Sequence, residues 1–205
     1  MKLLIGDKSV SSWSMRPWLL LTHFAIPFDE IPVRLGRPDT TEQILRYSPS
    51  GKVPCLITDA GEPVWESLAI IETLAEQYPQ HAMWPRDAGA RARARSISAE
   101  MHAGFADLRR DMPMDVRKRA PGTGHTPDAL ANVARIEAIW QACLSAHGGP
   151  FLFGDFGIAD AMFAPVVMRF NSYAPPLSDV ARAYAERVTA LPAVAAWIDA
   201  AGNER

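Results

Sequence analysis

Short β-like runs alternate with helical ones up to about residue 78 and then stop, and this break constrains the fold more than any other feature of the chain. "KLLIG" (2–6) reads as a buried strand. "MRPWLLLTHFA" (15–25) reads as a helix, with Pro17 in its first turn, where amide protons have no helical partner anyway. "FDEIPVRL" (28–35) is a second strand that Pro32 marks as an edge, and "TTEQILRY" (40–47) is a short helix. "VPCLITD" (53–59) and "EPVWES" (62–67) form a hairpin around "DAGE". "SLAIIETLAEQY" (67–78) is a helix with Leu68, Ile71, Leu74 and Ala75 on one face. The resulting order, β-α-β-α-β-β-α, implies a parallel pair through the first crossover.

"PQHAMWPRDAGA" (79–90) reads as a linker, and every later segment is helical. Ile97, Met101, Phe105, Leu108 and Met112 recur at spacings of four, four, three and four, which predicts one long amphipathic helix. A second helix, within 125–147, is capped by Thr126, has Pro127 at its first position, and ends at Gly148-Gly149. "GIADAMFAPVVMRF" (157–170) starts a third, kinked at Pro165, and "LSDVARAYAERVTAL" and "PAVAAWIDAA" supply the last two. The predicted architecture is a small α/β domain at 1–80, a linker at 81–88 and an all-α domain at 89–205.

Composition narrows the function classes. The chain has 205 residues, 48% of them hydrophobic and 21% charged, which is enough to bury a real core. A formal net charge of −2 does not suggest nucleic acid as a partner. Cys55 and Cys143 show neither metal-ligand nor CxxC spacing, and no apolar run is long enough to span a membrane. The expectation is a reduced, cytoplasmic protein with no metal and no membrane partner.

The stretch "SVSSWSMRP" (9–17) holds four serines, whereas a helix needs one hydroxyl to cap its first turn. Ser14 is assigned the cap, and Ser9, beside Lys8, is placed in solvent. Ser11 and Ser12 are left at the mouth of the strand-to-helix turn, where amide groups and the helix dipole favour an anion. If the anion is a thiolate, little energy is needed. A free thiol with a pKa of about 8.5 drops by about two units if the ionised form is favoured by about 2.7 kcal/mol. Taken alone, the serines read better as turn, capping and solvent-facing residues.

Three further features change that balance. "SGKVPCL" (50–56) puts Val53 before a proline, and in thioredoxin-like folds such a bond is cis and leaves the valine backbone free to pair with an extended peptide. "WESLAII" (65–71) places Glu66 and Ser67 at a helix N-terminus, suited to an ammonium group and a carboxylate respectively. Lys52 can meet a second carboxylate. A small zwitterionic peptide carrying a thiol would satisfy all of these groups.

With these motifs in this order, "SSWSMRPWLLL", "SPSGKVPCL", "ESLAIIETLAEQYP", "FGIADAMFAPV" and "LPAVAAWIDA", the chain resembles the glutathione transferase superfamily over essentially its whole length. The resemblance implies a thioredoxin-like N-terminal domain followed by a helical one, and a homodimer. It implies a detoxifying glutathione S-transferase activity toward a hydrophobic electrophile, with glutathione as co-substrate. Alternatives are a glutathione-dependent isomerase of the maleylacetoacetate type and a non-catalytic binding or regulatory protein. The serine-led turn resembles the zeta and tau types. In that register Ser11 stabilises the thiolate and Ser12 is its understudy, with Trp13, Lys52, Val53, Glu66 and Ser67 against glutathione. Trp13 stands where zeta isomerases carry cysteine, and Gly157 where the family carries a capping Ser or Thr, a change expected to cost only about a few tenths of a kcal/mol.

For the electrophile, His102, Phe105 and Met112 are the candidate wall, although Phe105 and Met112 also sit on the apolar stripe of the predicted long helix. Arg109, Arg110, Arg117, Lys118 and Arg119 are partly offset by Asp107, Asp111 and Asp115 and read as a solvated face that tilts preference toward acidic substrates. Cys55 is expected to be buried in a strand and inert.

Overall fold

The computed structural model describes residues 1–204. Strand β1 (Lys2–Ile5) pairs in parallel with β2 (Asp29–Pro32) and antiparallel with β3 (Cys55–Ile57), and β3 pairs with β4 (Pro63–Trp65), giving the order β2-β1-β3-β4. Pro32 ends the edge strand, where a missing N–H costs the sheet least. Successive side chains of a strand point to opposite faces, and β1 uses both. Leu3 and Ile5 join the main core with helices α1 (Ser12–His23) and α3 (Ser67–Gln77). Leu4 joins Cys55, Val33 and Ile44 of helix α2 (Thr40–Leu45) in a smaller cluster on the other face.

The helical half comprises α4 (Ala88–Ala103), α5 (Ala106–Asp111), α6 (Pro127–His147), α7 (Ile158–Tyr173), α8 (Asp179–Thr189) and α9 (Pro192–Gly202). Helix α7, apolar apart from Asp160, Arg169, Asn171 and Ser172, is buried along its whole length except at Asn171, and it packs against α1, α4 and α8. The predicted caps of α6 are present. The Thr126 hydroxyl accepts the Ala129 N–H at 3.2 Å, Pro127 opens the helix, and Gly148 closes it in the left-handed region.

Two expectations about helices are corrected. The chain turns helical at Ser12, not Met15, so Pro17 is the sixth helical residue and leaves the Trp13 carbonyl without its helical donor. The long helix predicted from Ile97 to Met112 is broken in two. Phe105 takes φ +62°, a left-handed conformation that a helix cannot continue through, and Arg109 folds back to donate to the carbonyls of Gly104 (3.0 Å) and Met101 at the end of α4. A cation there also suits the negative end of the helix dipole.

The start of α7 ties three segments together. Asp160 accepts the Gly157 N–H at 3.1 Å, the Leu152 N–H at 3.1 Å and the Tyr184 hydroxyl at 2.8 Å. Burial pushes its carboxyl up to about 6 against the opposing effect of these donors. Gly157 has a reason beyond capping. A Cβ at this position would lie 2.7 Å from the Met83 carbonyl oxygen, which itself accepts the Ile158 N–H at 3.1 Å. Gly157→Ser is therefore expected to destabilise the protein by about 1–3 kcal/mol instead of restoring a cap, read as a lowered denaturation midpoint.

Candidate functional site

Three of the four serines in the first strand-to-helix turn are deployed differently from the expectation. Ser11 is the N-cap residue of α1, but its hydroxyl does not cap. It donates to Ser14 Oγ at 2.7 Å. Ser14 is not the cap either. Its oxygen also accepts the Gly6 N–H at 3.1 Å, so it pins the first turn of the helix to the end of β1. Ser9 is buried, not solvated, and its carbonyl accepts the Val116 N–H at 3.0 Å. Ser12 is buried at the same helix start, and its hydroxyl has no hydrogen-bond partner among the described residues.

Beside this turn lies a cleft of about 150 Å³ lined by Trp13, Ser50, Lys52, Val53, Pro54 and Glu66. Four residues singled out in the sequence, Trp13, Lys52, Val53 and Glu66, thus meet around one space. Ser50 was missed. The Val53–Pro54 bond is cis. Glu66 caps α3 with φ +68°, a conformation uncommon for a non-glycine residue. Ser67 is 1% exposed and sits behind the lining, its hydroxyl accepting Arg16 Nη1 at 3.4 Å. Cys55 is buried at the start of β3, and burial pushes its thiol up, as in an inert structural cysteine. A larger cavity of about 520 Å³ lies at the other end of α1, around His23, Phe24, His81 and Phe156, away from the serines.

The wall toward the helical half also differs from the expectation. Met112 is 0% exposed and belongs to the core, and Phe105 is half-buried against the same core. His102 does face the site, with its ring edge-on to Trp13 at 5.1 Å and its Nε2 3.6 Å from Glu66 Oε2. Burial, reinforced by Arg16, lowers its pKa against the pull of Glu66.

Arginines lie beside Trp13. Arg109, read from the sequence as part of a solvated face, turns inward, while Arg110 stays outside with Asp107 and Asp111. The guanidinium carbons of Arg16 and Arg109 lie 4.3 and 4.7 Å from the Trp13 ring centroid. Arg16 is 0% exposed, and its Nε and Nη2 have no partner among the described residues. Arg169 of α7 is also buried, with Nε unpartnered among those residues and Nη1 donating to the Pro165 carbonyl. Burial holds the Arg16 guanidinium well below its ordinary range, with Arg109 and Arg169 adding to the effect. Burial, then Arg109, brings Arg169 down to about 9. None of the three arginines pairs with a carboxylate among the described residues. Cation–π contact with Trp13 returns only about 2 kcal/mol when desolvated, less than burying a guanidinium costs. The signal for Arg169 was in the sequence: it is the lone cation in the apolar run "FAPVVMRF", and arginine is almost never fully buried unless paired.

Comparison with known proteins shows the family. Residues 10–77 match the family model of the glutathione S-transferase N-terminal domain, and residues 89–200 that of the C-terminal domain. A probable maleylacetoacetate isomerase of Caenorhabditis elegans is 30% identical over 83% of this chain and 79% of its own length. A maleylacetoacetate isomerase of Pseudomonas aeruginosa is 38% identical over 48% of this chain and 47% of its own. The crystal structure of a glutathione transferase homologue from Burkholderia GL BGR1, with bound glutathione, superimposes with a TM-score of 0.76 at 25% identity, covering 99% of this chain and 98% of that one. On the two domain matches, the serine turn and the cleft beside it, the chain belongs to the glutathione S-transferase superfamily.

Proposed function

We propose that this chain is a glutathione-dependent enzyme acting on an acidic, unsaturated small molecule, and that its turnover is isomerisation. Ser11, with Ser12 beside it and the amides of the α1 start, holds the glutathione sulfur as a thiolate. Lys52, Val53, Glu66 and Ser67 bind the rest of the tripeptide. The thiolate adds to a carbon–carbon double bond conjugated to a carbonyl, and the electron pair moves onto the carbonyl oxygen as an enolate. Rotation about the resulting single bond follows. Collapse of the enolate re-forms the double bond and expels the thiolate, so no atom is gained or lost. Arg109, half-buried beside Trp13, is suited to hold a substrate carboxylate and to favour the enolate charge, with buried Arg16 and Arg169 adding positive potential behind it.

The observation that carries the reading is the convergence of three buried or half-buried guanidiniums with no carboxylate between them. Two relatives named maleylacetoacetate isomerase support the same reaction class. The second reading is transfer, in which the adduct is released. It is favoured by Trp13, which stands where the serine turn of zeta isomerases carries cysteine.

Counting thiols separates the two. With maleylacetoacetate as probe, isomerisation predicts rapid loss of the cis substrate while titratable glutathione stays constant. Thiol consumed one for one with substrate would establish transfer. A neutral aryl halide turned over faster than the acidic probe would overturn the role of the arginines.

A further inference from the structure

The turn that carries Ser11 is held by a residue nearly two hundred positions away in the chain. Glu204, just after α9, places Oε1 2.5 Å from the Lys8 N–H and Oε2 2.9 Å from the Ser9 N–H. Both oxygens of one carboxylate thus take two consecutive backbone donors, the arrangement in which a short turn presents its amides to an anion. The contact is reinforced on both sides. The Lys8 ammonium lies 2.6 Å from Glu30 Oε2 and over the rings of Trp18 and of Trp197 in α9, at 5.1 and 5.7 Å. Arg117 Nη1 donates to the Glu204 carbonyl at 3.4 Å.

The other groups of this turn are bound elsewhere. The Val10 and Ser11 N–H groups donate to the Asp7 carbonyl at 3.2 and 2.8 Å. The Asp7 carboxylate takes the Leu35 N–H and Arg34. Glu204 therefore supplies the acceptors that the N–H groups of Lys8 and Ser9 would otherwise lack.

We propose that Glu204 is a positioning residue for thiol ionisation: its carboxylate fixes the turn at 7–11, and through it the direction of the Ser11 hydroxyl and of the amides that meet the sulfur. This rests on the reading of the turn as the thiolate site. The sign of its effect is diagnostic. A negative charge near the turn opposes a thiolate, so removing it as a mere charge would lower the thiol pKa. Removing it as a positioning group would raise the pKa.

The experiment measures the ultraviolet absorbance of the thiolate of bound glutathione against pH, for the wild type, Glu204→Gln and Ser11→Ala. Glutamine keeps one acceptor oxygen but turns an amide donor toward the second N–H. Glu204→Gln is expected to cut the thiolate fraction below the wild-type pKa about three- to tenfold, with glutathione affinity changed less than about twofold. Amide exchange, measured alongside, should quicken at Lys8 and Ser9 and stay slow through α1 and α7. An unchanged or lowered thiol pKa overturns the proposal, as does loss of protection throughout α1 and α7, which would make Glu204 a general fold contact. If Ser11→Ala leaves the thiol pKa in place while Glu204→Gln raises it, the serine assignment fails and the positioning role stands on the turn's amides.

Discussion

Replacing Ser11 by alanine is expected to lower kcat/KM for glutathione by roughly several-fold to a hundredfold, the scale of losing one donor to a developing or stored anion, with glutathione affinity nearly unchanged. The hydrogen bonds of the turn explain how the residue would act. The Gly6 N–H already donates to Ser14, and the Ser11 and Ser14 oxygens lie 2.7 Å apart. A hydroxyl offers one proton and two acceptor sites, so either serine can donate across that contact. When a thiolate arrives, Ser14 can donate to Ser11, which frees the Ser11 proton for the sulfur. The result is a one-way chain from Gly6 through Ser14 and Ser11 to the anion, and each bond polarises the next. Kinetics of Ser11→Ala and Ser12→Ala across pH 6–9 check this. The loss for Ser11→Ala should shrink at high pH, where the thiol ionises unaided. If Ser12→Ala takes the loss and Ser11→Ala none, the thiolate residue is one position further on, and if neither variant changes the rate, the hydroxyl role is wrong.

The largest effect on stability is expected at Asp160. Asp160→Ala strands the N–H groups of Leu152 and Gly157 and the hydroxyl of Tyr184 at the base of a buried helix. At about 1–3 kcal/mol for each orphaned donor, partly relieved by water, the loss should be about 3–5 kcal/mol by denaturant unfolding. The pH dependence has a definite sign. The folded-state value of about 6 lies above the unfolded carboxylate value near 4, so the native state holds the extra proton in that window. Relative to Asp160→Asn, which cannot titrate, the wild type should gain stability as pH falls from about 6 toward 4 and show no change between 7 and 8. The opposite slope would mean that the three donors outweigh burial.

Several parts of this protein were legible from local pattern. The continuous apolar run "KLLIG" gave the buried strand, and the Thr126-Pro127 start and Gly148 end of α6 followed from capping chemistry. The spacing of "SSWSMRP", "GKVPCL" and "WES" identified the residues around the cleft, because each motif meets a local backbone requirement at a strand end or helix start. The periodic run from Ile97 to Met112 misled. Periodicity is preserved across a break when the two short helices present the same face to the core, and only the left-handed Phe105 and the capping Arg109 mark the interruption.

Sequence by itself determined the β-α-β-α-β-β-α order of the first half and the helical character of the second, since these depend on dihedral preference and side-chain periodicity within a few residues. Tertiary structure alone decided which serine bonds to which, that Arg16, Arg109 and Arg169 converge, and that Glu204 reaches the turn. The physical reason is one of range. A helix's apolar stripe specifies that it will be buried, whereas the charge or carbonyl it meets is chosen by a segment far away in the chain, through the packing of α1 against α7 and α9.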